Sequence, residues 1–321
     1  MAGNQRRRGA VRKAGSKKGA VVGSGGQRRR ALEAKGPTPP AELRPGHAKA
    51  RRAAAARKAA GRPSGSRARG GRGRTGTAET VAGRNAAVEA LRAGVPVKAL
   101  YVAERIDSDD RVREILKIAA ERGLSVLEAP RPELDRLTAG AVHQGVALTV
   151  PAYEYAHPDD LIAAAHEAGE PPLVVALDGV TDPRNLGAVV RSAAAFGAHG
   201  VVVPERRSAG MSVGAWKTSA GAAARVPVAR ATNLARQLRE YAEGGLFVVG
   251  LAGDGTVEVG DLEVAAEPMC LVVGSEGAGM SRIVTQACDV VVRIPIAREV
   301  ESLNAGVAAG IALYEIARAR R

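Results

Sequence analysis

Three stretches of the chain bring together side chains able to do chemistry. The first, DGVTDPRNLGAVVRS at residues 178–192, closes an apolar run with the turn-forming pair Asp182-Pro183 and opens a helix carrying Asn185 and Arg191, six positions apart. An amide and a guanidinium delivered by a buried strand to one pocket rim suit a phosphate and a ribose, because the guanidinium fork matches phosphate oxygens. Gly187, with no side chain, lets a second backbone come close. The second stretch, VVGSEGAGMS at 272–281, sets three glycines around the single carboxylate of Glu276, in a loop whose backbone can touch a ligand. It is neither GxGxxG nor GxxxxGK[ST], so it lends no support to a dinucleotide or triphosphate site. The third, RIPIAREVESLNAGVAAGIALYEIA at 293–317, ends a strand at Ile294-Pro295 and opens a helix at Ser302-Leu303-Asn304. Its AGVAAG run permits very close helix packing. Each stretch also has a plain structural reading: a helix cap with a surface arginine, a tight turn, an Ala-rich core helix capped by Ser302. The weight lies in their occurring together.

These residues need a scaffold, and the pattern supplies one. From Leu173 onward strands and helices alternate: LVVALDGV, GVVVP, VPVAR, LFVVGLAG, MCLVVG and DVVVRIP read as strands, several of them continuous apolar runs of the kind buried on both faces. Between them NLGAVVRSAAAFG, SVGAWKTSAGAAA and NLARQLREYAEGG read as helices, and SLNAGVAAGIALYEIARARR as a long final one. The fold class is α/β with a mostly parallel sheet, and a ligand belongs at the carboxyl ends of its strands. Ahead of it lies a smaller α/β unit. A helix starts near Thr80 and stops at Gly94, followed by strand VKALYVAE, helix RVREILKIAAERG, strand LSVLEAP and a third strand, HQGVALTV. That unit holds no catalytic constellation, and His143 reads as a turn residue. The linker YEYAHPDDLIAAAHEAGEPP carries a short helix from Asp159 to Glu167.

Composition narrows the classes. Residues 1–75 hold 22 Lys and Arg against Glu33 and Glu42, a local net of +20; the whole chain is +14, so residues 76–321 carry −6. The leader has no aromatic residue and too little apolar surface to offset its conformational entropy. It reads as a disordered tether for RNA or the ribosome through phosphate contacts, with a solubilising tail as the alternative. Two cysteines, Cys270 and Cys288, with no CxxC pair and no His cluster, exclude a disulfide scaffold and a standard zinc site and suit a reducing, cytoplasmic setting. No stretch approaches 18 unbroken apolar residues, so no membrane span is expected.

In this order and near these separations, the three stretches resemble the signature motifs of the SpoU family of RNA ribose methyltransferases, within the SPOUT superfamily. The likeness is strongest to the bacterial branch that makes 2′-O-methylguanosine in 23S ribosomal RNA. It covers residues 80–321; the first unit's GRNAAVEAL opening and HQGVAL ending resemble that branch's L30e-like RNA-binding domain. The resemblance implies a disordered basic tail at 1–78, an L30e-like substrate-binding domain at 79–150, a linker at 151–170 and a methyltransferase domain at 171–321 tied in a deep trefoil knot, a rare exception to the rules of chain topology. It implies S-adenosylmethionine bent among the loops after Val249, Val273 and Arg293, near Leu251, Gly253, Gly274, Ile294 and Leu303. Asn185, Arg191, Glu276, Ser302 and Asn304 match the family's catalytic positions. The third motif departs at Ile296, at Arg298 where Gly is usual, and at Ala305-Gly306 where Val-Ser is common.

The resemblance also implies ribosomal RNA as substrate and a homodimer as the working state, with no metal. In-line transfer to a ribose 2′-hydroxyl requires alignment and loss of a proton. A guanidinium is always charged and is a poor base. Arg191 is therefore expected to bind the adjacent phosphate and position the hydroxyl, with Asn185, Glu276, Ser302 and Asn304 holding the ribose. Three alternatives stay open: a different substrate for the same chemistry, either a transfer RNA or an adenosine or pyrimidine of ribosomal RNA; a catalytically inactive RNA-binding or ribosome-assembly protein; and a Rossmann-type nucleotide enzyme.

Overall fold

The computed structural model describes residues 78–297 and 299–321. The expectations for the basic tail, and for Arg298, thus fall almost wholly outside the described residues. Within them the chain builds two sheets. The smaller is ordered β1-β4-β2-β3, from β1 (Glu79–Ala82), β2 (Ala99–Ala103), β3 (Val126–Ala129) and β4 (Val146–Val150). Its helices are α1 (Arg84–Arg92), α2 (Asp110–Glu121) and α3 (Arg131–Leu137). Helix α2 starts where the Asp109 carboxylate accepts from the Val112 N–H at 2.8 Å, and it turns Val112, Ile115 and Ala119 inward. Gly94, at φ 74, stops the chain after α1 as expected. Strand β1 differs from the expectation of a helix as the first ordered element. It is only four residues long and pairs antiparallel with β4, Thr80 opposite Thr149, a partner nearly seventy positions away.

The larger sheet is parallel throughout, ordered β7-β6-β5-β10-β8-β11-β9. Its strands are β5 (Leu173–Asp178), β6 (Gly200–Pro204), β7 (Val228–Ala231), β8 (Phe247–Leu251), β9 (Val257–Glu258), β10 (Met269–Gly274) and β11 (Val290–Arg293). Helices are α4 (Pro158–Glu167), α5 (Pro183–Ala195), α6 (Val213–Ser219), α7 (Leu234–Glu243), α8 (Arg282–Thr285) and α9 (Ala305–Ala319). Because side chains alternate along a strand, β5 feeds two cores. Leu173, Val175 and Leu177 share one with Leu186 and Val189 of α5 and Leu313 of α9. Val174 and Ala176 share the other with Leu161 of α4 and Leu234 and Leu238 of α7. Burial on both faces is why these strands are unbroken apolar runs.

The stretch expected as one helix from Ser212 breaks at Ala220 and Gly221, both left-handed, and continues as a 3-10 turn at Ala222–Ala224 that leads the chain into β7. Close helix packing takes the form expected. A Cβ on Gly187 would lie 2.4 Å from the carbonyl oxygen of Ala215, so α5 and α6 touch backbone to backbone there. One on Gly306 would lie 2.8 Å from the Cβ of Ala188, seating α9 on α5. The end of α9 is pinned by Arg320, which donates to the carbonyls of Ala265, Pro171, Glu267 and Pro172 at 3.0, 2.8, 2.6 and 3.3 Å. Helix α6 also meets the smaller sheet: Glu79 of β1 accepts from the Val213 N–H at 2.8 Å, Lys217 pairs with Glu89 of α1, and Trp216 stands edge-on to Tyr153 at 6.0 Å.

Candidate active site

The parallel sheet brings the carboxyl ends of β5, β10, β8 and β11 to one edge, and the three stretches emerge there, after β5, β10 and β11. After β5, the Asp182 side chain accepts from the Arg184 N–H at 2.8 Å and opens α5, which sets Asn185 in its first turn. After β10, the chain doubles back in a tight loop: Ser275 and Gly279 exchange backbone hydrogen bonds of 3.0 and 2.9 Å, with Gly277 and Gly279 left-handed. This holds Glu276 at the loop tip. A Cβ on Gly274 would sit 2.2 Å from the backbone of Gly279, so the fold of this loop requires glycine. Asp178, the last residue of β5, accepts from the Ser281 N–H at 2.7 Å and ties the first stretch to the second.

Three expected residues meet. Asn185 donates through Nδ2 to Oε1 of Glu276 at 2.8 Å; Asn304 donates through Nδ2 to the same oxygen at 2.6 Å and to Oδ1 of Asn185 at 2.9 Å. The Ala305 N–H adds a fourth contact, 3.3 Å from Oε1. Asn304 is also the N-cap of α9, its Oδ1 accepting from the N–H groups of Gly306 and Val307 at 3.0 and 3.2 Å. The cap expected at Ser302 therefore falls to Asn304. Beside this cluster opens a cavity of about 280 Å³, and all five residues expected to hold a cofactor, Leu251, Gly253, Gly274, Ile294 and Leu303, line it together with Glu276 and Ser302. Its walls include Val273 and Ile296, and the carboxylates of Asp254 and Glu301 face it as well. Those two acids were not among the sequence candidates. The available signal was their place in loops that directly follow parallel strands.

Arg191 is not brought to the cluster. It is exposed, and six residues on a helix turn it by about 600°, so it leaves α5 on another face, about 9 Å further along the axis from Asn185. His143 is a turn residue, as expected: Nδ1 accepts from the Gly145 N–H at 3.0 Å while Nε2 lies 3.1 Å from Asp135. Neither cysteine offers a thiolate, since burial raises both thiols, that of Cys288 to about 12. A larger groove of about 1010 Å³ runs between α4 and α7 but contains no residue of the three stretches. Among the described residues no group of three or more His, Cys, Asp or Glu is placed to hold a metal ion, and no helix is long and apolar enough to cross a membrane.

With this geometry in place, comparison with known proteins decides the family. The model described as SpoU rRNA Methylase family matches residues 172–314, a span that contains the first two stretches and all but the last three residues of the third. A second, described as RNA 2′-O ribose methyltransferase substrate binding, matches residues 80–156. A protein of Mycobacterium avium called "Uncharacterized tRNA/rRNA methyltransferase" is 59% identical over 322 residues, covering 100% of both chains. The chain belongs to the SpoU methylase family. A SpoU relative of the same printed name from Mycobacterium tuberculosis is 57% identical over 100% of this chain and 96% of its own. Among solved SpoU structures, the methyltransferase AviRb from Streptomyces viridochromogenes in complex with the cofactor AdoMet superposes with a TM-score of 0.55 at 26% identity, over 76% of this chain and 90% of that one. An AdoMet-bound rRNA methyltransferase from Sinorhizobium meliloti gives 0.54 at 27%, over 75% and 87%.

Proposed function

We propose that this protein transfers a methyl group from S-adenosylmethionine to the 2′-hydroxyl of a ribose in RNA, with a guanosine of 23S ribosomal RNA as the target. The observation that carries this is the hydrogen-bonded meeting of Asn185, Glu276 and Asn304 at the mouth of the strand-end cavity. The cavity suits the cofactor. It is close to the roughly 300 Å³ lower bound of small-ligand sites, its walls are mainly aliphatic, and Asp254, Glu276 and Glu301 face a ligand that carries positive charge. When bound there, S-adenosylmethionine supplies an activated methyl on a sulfonium. Leu251, Gly253, Gly274, Ile294 and Leu303 would hold it largely through backbone groups and apolar contact.

The chain's own residues hold the acceptor. Glu276 uses Oε1 within the cluster, which leaves Oε2 for a ribose hydroxyl. Asn185 and Asn304 fix the carboxylate, and Ser302, at the cavity rim, adds a hydroxyl. Fixing the acceptor in line with the methyl is the main contribution such a site can make. Arg191 binds the neighbouring phosphate in this reading. It lies about one turn of α5 from Ala188, which with Ser192, Val307, Ile311 and Tyr314 forms a shallow groove beside Asn304. Val307 and Tyr314 are about half exposed there, and a second copy of the chain seated on this face makes the homodimer and places Arg191 at the interface. The four-stranded unit serves as the RNA-binding domain, and the close passage of Gly255 against Val292 and Arg293 belongs to the knotted segment. The relatives' printed name favours transfer RNA as the second substrate class.

The test is methyl transfer from labelled S-adenosylmethionine to unmodified 23S ribosomal RNA and to transfer RNA, with nucleoside analysis. A single 2′-O-methylguanosine in 23S RNA supports the full reading. Label in transfer RNA or in another nucleoside replaces the substrate. No transfer together with no cofactor binding overturns the reading. Arg191→Lys should lose most activity; near-parental turnover would exclude bidentate phosphate binding by Arg191.

A further inference from the structure

The residues described at −6 net charge between 76 and 321 would repel a polyanion unless positive groups are concentrated where it must lie. The sheet edge offers such a place. The cofactor cavity occupies the side of the cluster toward β8 and β11, which leaves the side of β6 and β7 outside it. There the loop after β6 carries Arg206 and Arg207, and the turn after its neighbour β5 leads to Arg184 at the start of α5. All three are exposed, and none of their side chains forms an ion pair or hydrogen bond among the described residues. Some surface arginines are engaged by acids, Arg92 by Glu114, Arg236 by Glu240 and Arg318 by Glu315; what sets Arg206 and Arg207 apart is that they stand side by side, unpaired, at the strand ends beside the cluster.

The loop is held in place rather than left loose. The Glu205 N–H donates to the Ala231 carbonyl at 2.9 Å, the Ala209 N–H to the Val180 carbonyl at 2.8 Å, and the Ser208 hydroxyl to the Pro204 carbonyl. The second of these bonds joins the loop to the turn that opens α5. Arg207 sits at φ 59, in the left-handed region that costs a non-glycine residue free energy and that persists only where surroundings impose it. Downstream the same loop runs into α6, the helix that Glu79 and Glu89 join to the smaller sheet. The arginine pair therefore stands between the reacting cluster and the unit proposed to hold the RNA.

We propose that Arg206 and Arg207, flanked by Arg184, bind backbone phosphates of the RNA beside the target nucleotide. This rests on the RNA methyltransferase reading above. Phosphate contacts fix register without reading sequence, so the pair positions the strand and does not choose the base. The experiment uses the full chain with Arg206→Ala/Arg207→Ala, compared with the parent and with Arg206→Lys/Arg207→Lys, on in-vitro transcribed 23S ribosomal RNA. Expected for the alanine pair are a KM for RNA raised about tenfold or more with kcat retained, a salt dependence of binding shallower by about 1.4 in log–log slope, and unchanged S-adenosylmethionine affinity. Comparing slopes by difference cancels the contribution of the basic residues in 1–75. The lysine pair should keep the parental slope. An alanine pair with parental KM and slope overturns the proposal while the parent's activity still stands. A parent that neither binds the cofactor nor methylates RNA removes the underlying reading instead. Arg207→Gly, which relieves the left-handed backbone, guards against misfolding: a raised KM there with an unchanged or higher Tm supports the clamp, and a parental KM counts against a role for Arg207.

Discussion

Asn304 does two separable jobs, and substitution can pull them apart. Its Oδ1 caps α9 through the N–H groups of Gly306 and Val307, while its Nδ2 donates to Glu276 and Asn185. Asn304→Ala removes both. Loss of an N-cap costs about 1 kcal/mol, which for a protein of this size lowers Tm by about 2–4 °C. The 2.6 Å bond to the carboxylate is charge-assisted, and such bonds contribute about 1.5–3 kcal/mol, so kcat/KM should fall about ten- to a hundred-fold. Asn304→Asp keeps the cap acceptor but replaces the donor with a second carboxylate against Glu276. Two carboxylates that close do not both ionise readily, so one keeps its proton to higher pH. Tm should then stay near parental while activity is lost at neutral pH and partly returns as pH falls, because the protonated carboxyl donates again. The assays are thermal unfolding and labelled methyl transfer from pH 5 to 8. Parental activity of Asn304→Asp at pH 7.5, or an unchanged Tm for Asn304→Ala, would refute the division of labour.

Three further outcomes are expected. Gly274→Ala places a Cβ inside the backbone of Gly279 and Met280, so the 275–279 loop must move; isothermal titration should show cofactor binding weakened at least about tenfold while the far-ultraviolet spectrum stays folded. Arg320→Ala strips four carbonyl contacts from the end of α9 and should lower Tm by about 4–8 °C, equivalent to about 2 kcal/mol, with little recovery in Arg320→Lys because an ammonium cannot span them. The Val112 N–H, helped by Arg84, holds the Asp109 carboxyl below the usual carboxylate range. Its contribution to stability is present above about pH 4 and fades as pH falls through the depressed folded value; unfolding midpoints measured between pH 2.5 and 6 should therefore drop less steeply in Asp109→Asn than in the parent.

The catalytic half was legible because its information is local. LVVALD and MCLVVG can only be strands buried on both faces, and each ends in residues no core strand needs. Elements that depend on distant partners were not legible. ETVA is four residues whose strand state comes from β4, and the two-residue β9 exists only beside β11. That Arg191 leaves α5 on a different face from Asn185 follows from their spacing, since six positions is not a whole number of helical turns. The tie from Asp178 to Ser281 spans 103 positions and leaves no mark in either neighbourhood. The Arg206–Arg207 loop escaped notice because two exposed arginines are ordinary in sequence; only their place at the sheet edge beside the cluster sets them apart.

The seam at α6 has a practical consequence. The chain contains one tryptophan, Trp216, and it lies buried where the helix meets the segment joining the two sheets, edge-on to Tyr153. Intrinsic fluorescence excited at the red edge of the indole band therefore reports a single place in the molecule. If RNA draws the small unit away from the large one, the emission shifts to longer wavelength without any dye or label; if the units close on the substrate as one body, it stays blue. The protein carries its own gauge of how it grips its substrate.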